Sequence, residues 1–219
     1  MRPSPPDAGT TSADSNAGLL SQTMANFLSG LAAKSPAPGG GAATALTGAL
    51  AAALARMTIE YTLGKPKFQL VEADLTAALG QLTMAQAALQ ELIEEDHAAY
   101  EALAKLLKLT RPERQARAEY QPTVAAAIAI PESVGTFALA VLELCRQLLD
   151  KINPLLISDL GIAAELARAT VHAARFNVLI NLPLLDPPQA APHRQTMEAQ
   201  CQKADALHAP IQAHFAPSR

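Results

Sequence analysis

The stretch Ser35-Pro36-Ala37-Pro38-Gly39-Gly40-Gly41 leads directly into the small-residue run Ala42-Ala43-Thr44-Ala45-Leu46-Thr47-Gly48-Ala49-Leu50-Ala51. Consecutive glycines reach positive φ without strain, and the first turn of a helix carries N–H groups with no partner inside the helix. Together they suit an oxygen-rich ligand held by backbone donors. The same residues also serve plain packing, with prolines ending one helix and glycines letting the next approach a neighbour. Both readings stand on this stretch alone.

Two other patterns carry candidate side chains. Leu75, Leu79, Leu82, Gln86, Leu89, Ile93, Asp96, Tyr100, Leu103 and Leu107 form a seam stepping by four and three, and Asp96 falls inside it. A carboxylate among leucines meets a cation or lines a cavity, or else its pKa rises. A local rotation of the helix would instead leave it on a solvated face beside Glu94 and Glu95. Tyr100 shares its surroundings one turn on. Further along, Asp159 follows Ser158 at a helix start, where the helix dipole alone favours an acid. Asn177 and Asn181 lie one turn apart in the apolar segment Phe176-Asn177-Val178-Leu179-Ile180-Asn181-Leu182, where buried amides need partners. Eighteen residues of helix, about 27 Å, separate Asp159 from Asn177, so the two cannot serve one small reacting group.

The elements that must position these residues read as helices throughout, because Ala, Leu, Gln and Glu dominate and no alternating β-branched run appears. The pattern predicts an all-α bundle of about seven helices. The expected spans are Leu19–Ala33, Ala42–Leu63 with Gly64 in the left-handed closing position, and Phe68–Leu109. Thr110 and Glu113, around Pro112, form a capping box that starts a fourth helix, broken near Pro122 and again at Pro131. Pro131–Lys151 makes a fifth, Ser158 caps a sixth reaching Ile180, and Pro192–His214 makes the last.

Composition narrows the function. The 219 residues are half apolar, enough for one domain with a real core, expected over residues 19–216 behind a disordered tail at 1–18. A net charge of −3 with 4% aromatics offers neither the basic footprint nor the stacking surface of a nucleic-acid binder. The longest uncharged stretch, Ser35–Ala55, is too short and too weakly apolar beyond the loop to suggest a membrane span, and residues 1–16 lack the apolar core of a signal peptide. Cys145 and Cys201 match no metal spacing and read as reduced thiols in a cytoplasmic protein. The histidines (His97, His172, His193, His208 and His214) form no HExxH pattern, so no metal is expected, and neither a G-x-S-x-G elbow nor a Walker loop occurs.

Taken together, Phe27-Leu28, Ala33-Lys34-Ser35 through Gly41, Leu63-Gly64-Lys65-Pro66-Lys67-Phe68, Glu95-Asp96-His97-Ala98-Ala99-Tyr100, Ile130-Pro131-Glu132, and Ser158-Asp159-Leu160 through Leu182 resemble the cyclodeaminase/cyclohydrolase family over about residues 24–182. The resemblance implies an all-helical homodimer acting on a one-carbon tetrahydrofolate, without metal or nucleotide cofactor. The implied reaction is hydrolysis of 5,10-methenyltetrahydrofolate, or release of ammonia from the formimino form. A helical module that binds a folate or a partner helix without turnover is the alternative of another class. Asp96 is the first candidate for catalytic carboxylate and Asp159 the second, with Tyr100 beside Asp96. Lys34, Ser35, Pro38, Gly39, Gly40, Gly41, Lys65 and Lys67 are candidates for holding the anionic folate tail. Asn177 and Asn181 are candidates for reading the pterin edge. The sequence departs from the family pattern at Ile130-Pro131-Glu132 and Tyr61-Thr62-Leu63, which leaves substrate detail open.

Overall fold

The computed structural model describes residues 18–216, which form seven α-helices: α1 Met24–Ala32, α2 Gly40–Glu60, α3 Glu72–Leu107, α4 Arg111–Gln115, α5 Tyr120–Leu148, α6 Ile157–Asn181 and α7 Pro187–His214. The expected N-terminal tail lies outside the described residues, apart from Gly18.

Four of these form an up-and-down bundle. α2 packs on α3 and α6, and α5 closes the ring against the same two helices, with α7 laid outside along α5 and α6. Alanine permits the close approach at the centre: Ala45, Ala51, Ala52 and Ala55 of α2 and Ala163, Ala164, Ala167 and Ala174 of α6 have no exposed surface. Leu75, Leu82 and Leu89 of α3 and Leu142 of α5 fill the remaining space. α2 and α5 are long and apolar enough to cross a membrane by length and composition, which the sequence reading did not foresee for the segment around α2; in the bundle both turn buried faces inward. α1 stands apart, with Phe27 its one buried residue.

Several boundaries differ from the sequence expectation. Leu19 belongs to a separate 3-10 turn, and α1 begins after Thr23, whose side chain accepts from the Asn26 N–H. Residues Pro66–Val71 form a 3-10 turn ahead of α3. Ser158 does not cap α6: Asn153 caps a 3-10 turn, Pro154–Leu156, that runs straight into the helix. α7 starts at Pro187, with Asp186 and Gln189 closing a capping box. The capping box at Thr110 and Glu113 is present, and Gly64, at φ 72°, ends the α2 segment in the left-handed conformation.

The largest departure is α5, which runs unbroken through Pro131. Pro122 falls in the first turn, where a missing N–H costs nothing. Pro131 does remove a hydrogen bond, the one its N–H would have donated to the Ala127 carbonyl. Asn181 replaces it from α6: its Nδ2 donates to the Ala127 carbonyl at 2.9 Å and to the Asn177 carbonyl at 3.1 Å. The neighbouring helix therefore supplies the donor that proline deleted, and the helix continues. Asn181→Ala is expected to cost about 1–3 kcal/mol by leaving a buried carbonyl unpaired, and much less in a Pro131→Ala background, where the helix satisfies that carbonyl itself. A double-mutant cycle of urea melts measures this, and equal costs in both backgrounds would refute the pairing.

Candidate active site

The antiparallel order brings the start of α2, the last third of α3, the start of α5 and the end of α6 to one end of the bundle. There they enclose a cavity of about 500 Å³. Its floor is the loop Pro36–Gly39 and the first turn of α2. α3 lines one wall from Asp96 to Leu107, and Ile130 and Pro131 of α5, Asn177, Ile180 and Asn181 of α6 and Leu184 complete it. Most of that surface is apolar, with few polar groups breaking it.

Asp96 is the group around which the floor is built. α2 has no side-chain cap of its own, because its N-cap is Gly39. The Asp96 carboxylate reaches across from α3 and accepts from the Ala42 N–H, so an acid borrowed from another helix meets the positive end of α2. The contact is so close that a Cβ on Gly41 would overlap the carboxylate. Burial pushes the Asp96 carboxyl above the ordinary aspartate range; the Ala42 N–H and the neighbouring His97 pull it down without cancelling that effect. A carboxylate so placed holds a proton more readily than a solvated one, and among the described residues it is the one acid that lines the cavity and could meet a cationic ligand.

The amides are tied into the same frame. Asn177 Nδ2 donates to Thr44 Oγ1 at 3.3 Å, and that hydroxyl donates to the Gly40 carbonyl at 2.6 Å. Asn181 spends its Nδ2 on Ala127 and Asn177, a structural duty. Tyr100, about half exposed, lies one turn from Asp96 on the cavity wall.

The structure thus brings together Pro38, Gly39, Gly40, Gly41, Asp96, Tyr100, Asn177 and Asn181. It leaves Lys34, Ser35, Lys65, Lys67 and Asp159 outside the lining. The Ser35 hydroxyl donates to the Ala37 carbonyl and so shapes the loop. Lys65 and Lys67 precede α3 at its far end, about 36 Å of helix from Asp96, and Lys67 lies over the Phe68 ring. Asp159 sits in the first turn of α6, at the opposite end of the bundle. The glycines also differ from expectation: among the described residues only Gly64 has positive φ, and of the three loop glycines Gly41 alone lacks room for a Cβ, because Asp96 stands there, while Gly39 faces open space. Sequence reasoning passed over His97 as a site residue, although it lines the cavity with its Nδ1 buried and unpartnered. Leu103 and Leu107 were legible as seam positions, but nothing marked them as cavity wall. Among the described residues no three His, Cys, Asp or Glu side chains converge as a metal-ligand set.

A helical bundle hollowed at one end around a single desolvated carboxylate is a small-molecule site suited to acid–base work on a cationic centre. Comparison with known proteins gives the family. The formiminotransferase-cyclodeaminase family model matches residues 23–203. A methenyltetrahydrofolate cyclohydrolase of Methylorubrum extorquens is 35% identical over 192 residues, 85% of this chain and 92% of that protein. The formimidoyltransferase-cyclodeaminase of Sus scrofa is 35% identical over 174 residues, 75% of this chain; the match spans 31% of that protein's length. The crystal structure of formiminotetrahydrofolate cyclodeaminase from Thermotoga maritima superposes with a TM-score of 0.80 at 25% identity, covering 89% of this chain and 96% of that one. The chain belongs to the formiminotransferase-cyclodeaminase family, as its sequence resemblance implied.

Substitution at the two glycines separates space from conformation. A Cβ on Gly40 would stand 3.5 Å from Asn177 Oδ1, an ordinary contact, whereas one on Gly41 displaces Asp96. Gly40→Ala is therefore expected to keep the melting temperature, and Gly41→Ala to lower it by several degrees, corresponding to about 1 kcal/mol or more. Equal melting temperatures for the two variants would show that Asp96 does not cap α2.

Proposed function

We propose that this protein hydrolyses 5,10-methenyltetrahydrofolate to 10-formyltetrahydrofolate. The observation that carries the reading is the desolvated Asp96 carboxylate at the start of α2, inside a cavity of substrate size. The 35% identity to the Methylorubrum cyclohydrolase, along nearly its whole length, supports it.

The substrate's reacting carbon lies in a cationic amidinium between N5 and N10. Asp96 stabilises that charge in a low-dielectric setting and takes a proton from the attacking water as the C–O bond forms. The tetrahedral intermediate then collapses: the C–N5 bond breaks, Asp96 returns its proton to N5, and the remaining hydroxyl loses its proton to solvent as the formyl carbonyl forms on N10. Tyr100 and the Asn177 amide flank the reacting ring, and Gly39 and Gly40 leave room for it. Asn181 takes part by holding the wall that faces α2. Cyclodeamination, in which N10 attacks a formimino carbon and ammonia leaves, passes through a similar tetrahedral centre. The likeness to the Thermotoga enzyme and to the pig protein favours that second reading.

A homodimer is part of the proposal. Met24, Leu28 and Leu31 of α1, Leu50 of α2, and Phe176 and Ile180 of α6 are exposed apolar side chains that a second copy would cover. Light scattering is expected to give about twice the 22.9 kDa chain mass, and a fully active monomer at micromolar concentration would refute it. A cytoplasmic setting fits the two free, buried cysteines, of which Cys145 has its thiol pushed up to about 12 by burial.

The test is turnover, followed as loss of methenyltetrahydrofolate absorbance above its spontaneous hydrolysis, with ammonia release from the 5-formimino form assayed in parallel. Asp96→Asn is expected to lower kcat about 100-fold or more, while Asp159→Asn, far from the cavity, stays near wild type. Asp96 must be ionised to accept the proton, so the acid limb of kcat/KM falls at a higher pH than an ordinary aspartate would give, and it vanishes in Asp96→Asn. Stability moves the other way. With the folded pKa raised, the contribution of Asp96 is fully present below its unfolded pKa and is lost as pH rises through the folded value. At neutral pH Asp96→Asn is therefore expected to melt no lower than wild type, since asparagine still accepts from Ala42. An active Asp96→Asn beside a dead but folded Asp159→Asn would move the chemistry to α6; folate binding without turnover of either substrate would make the protein a binding module.

A further inference from the structure

The lysines that the sequence offered for an anionic tail do not line the cavity, so the far end of the substrate needs another partner. The cavity runs along α3 from Asp96 to Leu107, about 16 Å of helix. If the amidinium lies at Asp96, as the proposed function requires, the other end of a folate emerges between Leu107 and Leu184. The corner from Lys108 to Glu119 runs between two residues at that end: Leu107, which is cavity wall, and Tyr120, whose hydroxyl donates to the carbonyl of the cavity-lining Leu184 at 3.4 Å.

Four cations, Lys108, Arg111, Arg114 and Arg117, lie in that corner, against Glu113 and Glu119. Arg114 donates from Nη1 to the Leu109 carbonyl. Glu113 is held by the Thr110 N–H and hydroxyl, at 2.9 and 2.7 Å, and lies within the field of Arg117. Lys108 and Arg111 are exposed, and no carboxylate among the described residues forms a salt bridge with either. Lys108 follows Leu107 at the lip of the cavity, and Arg111 opens α4 just beyond.

We propose that Lys108 and Arg111 form the docking site for the carboxylates of the folate's glutamate tail. The site rests on the folate reading above and adds a location and a polarity to it, with the reacting ring at the α2 end and the tail at the α3–α4 corner. Exposed cations of this kind act through Coulomb attraction and short-lived hydrogen bonds, so their effect grows with the number of tail carboxylates and weakens with salt.

The test is steady-state kinetics of the full-length Lys108→Gln/Arg111→Gln double variant on monoglutamyl and triglutamyl 5,10-methenyltetrahydrofolate, at low and high salt. KM is expected to rise about tenfold for the monoglutamate and further for the triglutamate, with a much smaller change in kcat and a difference that closes as salt rises. An unchanged melting temperature shows that the corner has kept its fold. Unchanged KM in a folded double variant would overturn the tail site and leave the folate reading intact. So would a comparable rise in KM from Lys34→Gln alone, which would place the tail at the loop end of the cavity. Wild-type protein that neither binds nor turns over methenyltetrahydrofolate would remove the reading on which the site rests, and the site with it.

Discussion

Helix α2 begins at the floor of the cavity with glycine at its cap position, so its first N–H groups have no side-chain cap of their own. The Asp96 carboxylate supplies one from α3, and much of the surrounding architecture follows from that contact. It requires Gly41 to be bare, since a side chain there would occupy the carboxylate's place. It fixes the longitudinal register of α3 against α2, because Asp96 has to arrive level with the first turn. It also sets the charge of the hollow end: a helix terminus with positive character is balanced by an acid too poorly solvated to be indifferent to an incoming cation.

The two ends of the bundle differ in how they are filled. Away from the cavity, alanines of α2 and α6 let the backbones meet, and leucines of α3 and α5 fill what remains. Toward the cavity, the groups that would close the gap are glycines, prolines and two amides, one bonded to a hydroxyl and the other to backbone carbonyls. Thr44 links Asn177 to the first turn of α2, and Asn181 links α6 to α5. These hydrogen bonds tie the helices together around the cavity, while its surface remains mostly apolar.

The helical class, the bundle's approximate count of elements and the Asp96 anomaly were legible in the sequence, because periodicity and composition report burial directly. The seam through Leu75, Leu89 and Leu103 offers Asp96 an inward place or, after a local rotation, a solvated one, and in the structure it lines the cavity. What failed were inferences from single residues whose effects are cancelled at a distance. Pro131 reads as a helix break until a donor from α6 is known to stand opposite it, and that donor is fifty residues away in the chain. The triple glycine suggests positive φ, whereas none of the three adopts it, and Gly41 instead gives clearance to a carboxylate from another helix. Lys65 and Lys67 lie near the glycine loop in sequence but at the other end of a 36-residue helix in space. His97 is visible only as part of the motif around Asp96, because a histidine beside an acid on a helix has many ordinary explanations.

The arrangement at Pro131 and Asn181 makes the history of this chain direction-dependent. A lineage that first exchanges Pro131 for a residue with an N–H restores the helix's own hydrogen bond and leaves Asn181 free to vary afterwards. A lineage that first loses Asn181 passes through a state with a stranded carbonyl in the wall of the cavity. The two orders reach the same pair of residues through intermediates of unequal fitness, so drift at position 181 is gated by what stands at position 131.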